Sequence, residues 1–282
     1  MRREIDIVVI SDVHLGTYGC HAKELLNYLK SIKPATLILN GDFIDIWEFR
    51  KRYFPKEHLE VIQRILRMAA KGTKVYYITG NHDDTLRRYS NFHTGNICLR
   101  DKLLLRLNDH KYWIFHGDIF DASIKFSPLI ARLGGKGYDW LIVLNRWVNK
   151  IRTSLGYSRM SFAKKIKLGV KKAVKFISDF ENTAIELAGE QDYDYVLCGH
   201  IHIPQMRQVR TKAGKTVTYL NSGDWVESLT SLEFSNGEWS IYEYKEADFK
   251  SFDPELQVNH QEEEAEEWVS DLKLFYHRFT KS

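Results

Sequence analysis

The sequence predicts an α/β fold in which a mixed β-sandwich is flanked by helices and carries a helical insertion. Three observations lead to that fold. In the first half, short β-branched runs alternate with segments whose apolar residues recur at helical spacing, as in strand–helix–strand units. Near the C-terminal end, Asn236-Gly237 separates two apolar runs and marks a two-residue hairpin, which adds antiparallel strands. Between Phe120 and Tyr193 the periodicity is helical only, so this stretch interrupts the strand series.

Ile5 to Ile10 is a β-branched run that stops at Ser11-Asp12 and reads as a buried first strand. Ala22, Leu25, Leu26, Leu29 and Ile32 share one helix face before Pro34, and Thr36 to Leu39 makes a second strand ending at Asn40-Gly41-Asp42. The unit repeats with Leu59, Ile62, Ile65, Leu66 and Ala69 on a helix stopped by Gly72. A third strand, Lys74 to Ile78, then ends at Gly80-Asn81-His82-Asp83. Further strands are expected at Leu103 to Leu107, Tyr112 to Phe115, Tyr195 to Cys198, Val217 to Leu220, Leu229 to Phe234 and Trp239 to Tyr244.

At 282 residues, with 44% apolar and 28% charged residues, the chain has the makeup of a globular enzyme with one large domain and an insertion, which excludes wholesale disorder. Cys20, Cys98 and Cys198 form no CxxC pair, so neither a disulfide framework nor a thiolate zinc site is indicated, and a reducing cytosol fits. The N-terminal run Ile7 to Ile10 is too short for a secretory core, and no apolar stretch reaches the roughly 20 residues a membrane span needs. The net charge of +4 points to no partner by itself, but its distribution is uneven. Trp140 to Ser178 holds ten Lys or Arg and no acid, whereas Asp253 to Asp271 holds eight acids and no Lys or Arg.

Five polar clusters each close a predicted strand: Asp12-Val13-His14, Gly41-Asp42, Gly80-Asn81-His82-Asp83, His116-Gly117-Asp118 and Gly199-His200-Ile201-His202. Functional groups of α/β sheets gather beyond the carboxyl ends of the strands, so residues distant in sequence would converge at one edge. Carboxylate, amide and imidazole donors without thiolates suit Mn²⁺, Fe²⁺, Zn²⁺ or Mg²⁺, and the inventory suits two ions. Asp12 with His14, and His200 with His202, have the spacing that places both side chains on one face of an extended strand. Any one cluster alone would read equally as hydrogen-bonded loop residues; five in succession point to a metal centre. His21, His58, His93, His110, His260 and His277 lack this setting and read as surface or helix residues.

The ordered motifs D-x-H, G-D, G-N-H-D, a His and G-H-x-H resemble the calcineurin-like metallophosphoesterase superfamily from Ile5 to about Gly223. Asp42-Phe43-Ile44-Asp45-Ile46-Trp47, the basic insertion and Asn221-Ser222-Gly223-Asp224-Trp225 further resemble the UDP-2,3-diacylglucosamine hydrolases of lipid A assembly. The resemblance implies two mixed β-sheets in a sandwich with a helical cap. The phosphoesterase domain would span 1–244, with the insertion at about 122–190 and an acidic extension over 245–282 that ends in a helix. It implies Asp12, His14 and His202 on one ion, Asn81, His116 and His200 on the other, and Asp42 bridging both. A hydroxide shared by the ions, most simply Mn²⁺, would attack phosphorus, and His82 would donate a proton or stabilise phosphoryl oxygens. Asn81, His82 and His200 would also face the substrate. Asp83 would either orient the His82 ring or cap the following helix. The lipid A hydrolases resemble G-N-R where this chain has His82, which puts the lipid nucleotide substrate in question but not the hydrolysis.

The basic insertion suits a pyrophosphate, an anionic membrane surface, nucleic acid or simply a solvated helix face. A lid with Leu, Trp and Phe inside and Lys outside favours an acyl-bearing lipid nucleotide, with Ser161, Lys164 and Lys167 as candidate contacts and nucleic acid less favoured. That reading places the protein in the cytoplasm, peripheral to the inner membrane, with no obligatory protein partner. A phosphoesterase for other nucleotides or nucleic acid is the second reading, and a scaffold without catalysis the third. In the acidic terminus, Ala265, Trp268, Leu272, Phe275 and Phe279 recur at helical spacing, as in a docked helix.

Overall fold

Two β-sheets face one another across a shared apolar layer. The computed structural model describes residues 2–46, 53–120 and 162–249, with only the backbone over 162–173. The strands are β1 (Arg3–Ile10), β2 (Ile32–Asn40), β3 (Lys74–Ile78), β4 (His93–Thr94), β5 (Ile97–Arg100), β6 (Lys102–Leu107), β7 (His110–Phe115), β8 (Tyr195–Cys198), β9 (Gln205–Arg210), β10 (Thr216–Asn221), β11 (Thr230–Ser235) and β12 (Glu238–Glu243). The helices are α1 (Ala22–Ser31), α2 (Lys56–Ala70) and α3 (Phe162–Glu190).

One sheet has seven strands in the order β12-β11-β1-β2-β3-β5-β4 and the other five in the order β6-β7-β8-β10-β9. Both are mixed: β1, β2, β3 and β5 run parallel, as do β7, β8 and β10, while the outer strands are antiparallel. This is the α/β sandwich that the sequence predicts.

Period-2 alternation explains the layers. Ile7, Val9, Ile38 and Ile78 from the first sheet pack with Leu103, Tyr112, Ile114, Leu197 and Leu220 from the second, filling the space between them. The alternate residues Val8, Ile10, Leu37, Leu39 and Val75 are buried on the opposite face of the first sheet. On the second sheet, Phe180, Ala184, Ile185 and Ala188 of α3 pack with Phe115, Val196, Val217 and Tyr219.

Strand β2 begins four residues before the predicted start and runs through Pro34. Pairing with β3 starts only at Thr36, so at Pro34 β1 alone lies alongside and the missing N–H interrupts no inner ladder. Asn236 and Gly237 take φ of 54° and 86° between β11 and β12, giving the expected tight hairpin. Strands β4, β5 and β9 carry no period-2 apolar run, and the sequence reading missed them.

The chain divides into two compact units, Met1–Glu243 and Tyr244–Ser282. In the second, Tyr244 stacks on Phe249 with ring centroids 4.9 Å apart. The expected helix around Trp268 and the insertion up to Ser161 lie outside the described residues.

Candidate metal centre

Past their ends, β1 and β2 keep pairing as loops. The Asp12 N–H donates to the Gly41 carbonyl (3.1 Å), the His14 N–H to Asp42 (2.9 Å) and the Leu15 N–H to Phe43 (2.9 Å). The second sheet joins at the same edge. Asn40 Nδ2 donates to the Phe115 carbonyl at 3.1 Å, and the His200 N–H donates to Asp12 Oδ2 at 3.0 Å. The carboxyl ends of β1, β2, β3, β7 and β8 thus bring all five polar clusters together.

The extended geometry expected for Asp12 with His14 and for His200 with His202 is not what the backbone adopts. Asp12 (φ 53°), His14 (54°), Asp42 (50°), His200 (67°) and His202 (57°) are all left-handed. The strands have already ended, and each left-handed residue turns its side chain off the strand direction. Asp and His tolerate this conformation far better than β-branched residues do, at about 1–2 kcal/mol each. Close approach is equally demanding: a Cβ on Gly41, whose φ is +82°, would lie 2.3 Å from the His116 ring.

Ligand-type atoms of Asp12, His14 and His202 lie within 4.8 Å of one another, and so do those of Asp42, His116 and His200. Asp42 Oδ2 lies 3.3 Å from His116 Nε2 and 4.0 Å from His14 Nε2, and so reaches both groups. Asp12 Oδ1, His14 Nε2, Asn81 Oδ1 and His116 Nε2 are buried without a hydrogen-bond partner among the described residues. Leaving such atoms unpaired costs about 1–3 kcal/mol each. Two carboxylates, an amide oxygen and imidazole nitrogens converging on one edge form a donor set for divalent cations, so the residues present fit such ions.

The rings are held from behind. His116 donates from Nδ1 to the Asn40 carbonyl at 2.9 Å, so Nε2 is the ring nitrogen turned toward Asp42 and Asp12. His202 Nδ1 faces Asp224 Oδ2 at 3.3 Å, and His14 Nδ1 faces Asp45 Oδ2 at 3.4 Å. His82 Nδ1 lies 2.8 Å from the same Asp45 oxygen.

Asp83 plays neither of its expected roles. Its carboxylate turns inward, is fully buried, and accepts from the Gly80 N–H (2.6 Å), the Phe43 N–H (3.1 Å) and the Tyr77 hydroxyl (2.6 Å). It makes no side-chain cap to the 3-10 helix Asp84–Tyr89. Asp45 and Asp224 were missed as orienting groups because each reaches its partner only through the fold.

The charges reinforce one another. Burial resists ionisation of Asp12, but the fields of His202, His116 and His14 override it and hold the carboxyl below its usual range. Asp42 is likewise depressed, burial being outweighed by His116 and His14. Burial opposes the His202 cation, yet Asp12 and Asp224 push its pKa up to about 10. The His82 pKa is also raised, because the hydrogen bond to Asp45 and the field of Asp42 exceed the cost of burial.

His58 is a helix residue as expected, but it is buried, and its Nδ1 accepts the Gly16 N–H at 2.9 Å. Arg87, which the sequence reading did not single out, lines a cleft beside His116 and pairs with Asp118 at 2.8 Å and Asp101 at 3.3 Å. Ser161 and the side chains of Lys164 and Lys167 lie outside the described residues. Among the described residues no helix is long and apolar enough to cross a membrane.

A family model described as calcineurin-like phosphoesterase matches residues 5–204. The chain is 27% identical over 251 residues to a UDP-2,3-diacylglucosamine hydrolase of Aliivibrio fischeri, covering 86% of this chain and 99% of that protein. A protein of the same description from Hamiltonella defensa is 24% identical, covering 71% of this chain and 78% of its own length. Among solved structures, a novel archaeal phosphodiesterase aligns with a TM-score of 0.41 at 13% identity, over 84% of this chain and 98% of that one.

Proposed function

The chain belongs to the calcineurin-like phosphoesterase family, and on that premise we propose that it hydrolyses the pyrophosphate of UDP-2,3-diacylglucosamine to UMP and the acylated sugar 1-phosphate. The observation that supports the chemistry is the pair of donor groups meeting at Asp42. The lipid nucleotide is favoured by relatives of that description, which align with most of the chain.

In this reading Asp12, His14 and His202 hold one divalent ion, Asn81, His116 and His200 hold a second, and Asp42 reaches both. When bound, the ions supply Lewis-acid polarisation of phosphoryl oxygens and a water nucleophile active near neutral pH; we assign Mn²⁺, with Fe²⁺, Zn²⁺ or Mg²⁺ suiting the same donors. The His82 backbone N–H fixes Asp42 Oδ1 at 2.8 Å. The His82 ring, held with Nδ1 toward Asp45, offers Nε2 to the leaving oxygen and donates its proton there. Asn81, His82 and His200 also line the phosphoryl position, and Ser161, Lys164 and Lys167 are assigned to the rest of the substrate. We place the enzyme in the cytoplasm, with its basic insertion against the anionic face of the inner membrane.

Purified protein with Mn²⁺ is expected to release UMP from UDP-2,3-diacylglucosamine. Failure to do so under conditions that still cleave a simple phosphodiester overturns the substrate assignment. Asp42→Ala is expected to lose metal and activity together. His82, where the lipid A hydrolases resemble G-N-R, favours one second reading, a phosphodiesterase for other nucleotides. Hydrolysis of such nucleotides with no release of UMP from the lipid substrate would establish it.

A further inference from the structure

We infer that Asp224 is a positioning residue for the metal centre: one carboxylate oxygen builds the turn after β10, and the other fixes the tautomer and direction of the His202 ring. This inference rests on the proposed metal centre. Asp224 is fully buried, and its two oxygens do separate jobs. Oδ1 accepts the backbone N–H groups of Val226 (2.9 Å), Glu227 (2.5 Å) and Ser228 (2.9 Å). Oδ2 faces His202 Nδ1 as an ion-pair contact at 3.3 Å and is otherwise unpartnered among the described residues. A carboxylate in that place directs Nδ1 toward itself, so Nε2, which lies 3.2 Å from Asp12 Oδ1, is the ring nitrogen presented to an ion.

The same turn is tied to the other donor of this ion. The Trp225 N–H donates to the Asp12 carbonyl at 3.1 Å. The Ser11 hydroxyl meets Ser222 Oγ at 2.7 Å and donates to the Gly223 carbonyl at 2.9 Å. The segment Ser222 to Trp225 therefore holds Asp12 through the backbone and His202 through a side chain. No comparable contact joins it to Asp42 or His116 among the described residues.

Asp224→Asn separates the two jobs. The amide oxygen can still accept the three backbone N–H groups, but the amide nitrogen then presents a donor to the donor on His202 Nδ1. Titration of the full chain with Mn²⁺, reading free ion by electron paramagnetic resonance, is expected to show one of two sites weakened by about 10–100-fold, the usual effect of losing such a partner. The other site should stay near wild type. Ser228→Ala loosens the turn, where Ser228 Oγ accepts the Asp224 N–H at 3.1 Å, and is expected to keep both ions.

Two wild-type affinities in D224N overturn the inference, as does an equal loss in S228A, which would make the turn and not the carboxylate responsible. If D224N does not fold, Asp224→Glu carries the test: its displaced carboxylate must weaken one site and spare the other, and unchanged binding overturns the inference. A wild-type chain that takes up no Mn²⁺ overturns the metal-centre reading and this inference with it.

Discussion

Replacing Gly80 by alanine tests how closely the candidate site is packed. An ideal Cβ at Gly80 lies 2.3 Å from Asp42 Oδ1, 2.7 Å from the Asp42 backbone nitrogen and 2.7 Å from His116 Cδ2. Relaxed contacts need about 3.5–4.0 Å, so Asp42 and His116 must both retreat by about 1 Å, and the backbone nitrogen cannot rotate away. Overpacking of this kind costs about 1–3 kcal/mol. Loss of the His82 N–H bond to the charged Asp42 Oδ1 adds about 1.5–3 kcal/mol. A total of about 2.5–6 kcal/mol is expected in urea denaturation, together with loss of bound metal by elemental analysis. Gly72→Ala is the control, because Gly72 has φ +105° but open space around its Cβ; it should lose about 1–2 kcal/mol from strain alone. If Gly80→Ala is no worse than Gly72→Ala and keeps its metal, close approach is not what the site demands of this glycine.

Phe180→Ala removes a fully buried ring whose centroid is 6.1 Å from that of His200; denaturation should show a loss of about 3–5 kcal/mol. Asn221→Ala takes away a buried amide that donates to the Gly199 carbonyl at 3.0 Å and accepts from the Gly223 N–H at 2.9 Å. About 2–4 kcal/mol should be lost, with slower turnover from a displaced His200. His58 has its pKa lowered by burial, so the unfolded chain binds the proton more tightly and stability falls as pH drops through about 6.5. His58→Gln should therefore show a flatter stability profile between about pH 7.5 and 5.5, and equal slopes would refute the sign. Chelation should abolish turnover and lower the melting temperature, because an ion at 100 times its Kd stabilises the native state by about 2.7 kcal/mol.

Most of the sandwich was legible because its central strands are continuous apolar runs closed by Gly, Asp, Asn or His. The edges were not. Gln205–Arg210 alternates half-buried with exposed positions and uses polar side chains to do so, and His93–Thr94 is too short to show a period. The candidate ligands were visible because each follows its strand directly. Their conformation was hidden, since a D-x-H or H-x-H spacing is equally consistent with an extended strand and with two left-handed turns. Asp45 and Asp224 stand in the motifs that carry the family resemblance, but their orienting roles have no local signal, because their partners are 37 and 22 residues away in sequence, at His82 and His202. Asp83 misled because the residue after a histidine motif invites a local role, whereas its hydrogen bonds run to the Phe43 and Gly80 N–H groups and the Tyr77 hydroxyl.

The left-handed backbone at Asp12, His14, Asp42, His200 and His202 bears on how ions come and go. Backbone bonds between protein groups brace three of these residues, from Asp12 to Gly41, His14 to Asp42 and Trp225 to Asp12. In the proposed metal centre, exchange of one divalent ion for another is then expected to need the shedding of water and trading of ligands at Asp12, His14 and Asp42, without refolding of the loops that carry them. That separates this centre from small metal domains that gain their structure from the ion. Near-ultraviolet dichroism and hydrodynamic radius should be the same with and without metal, and uptake should follow the water-exchange rate of the ion.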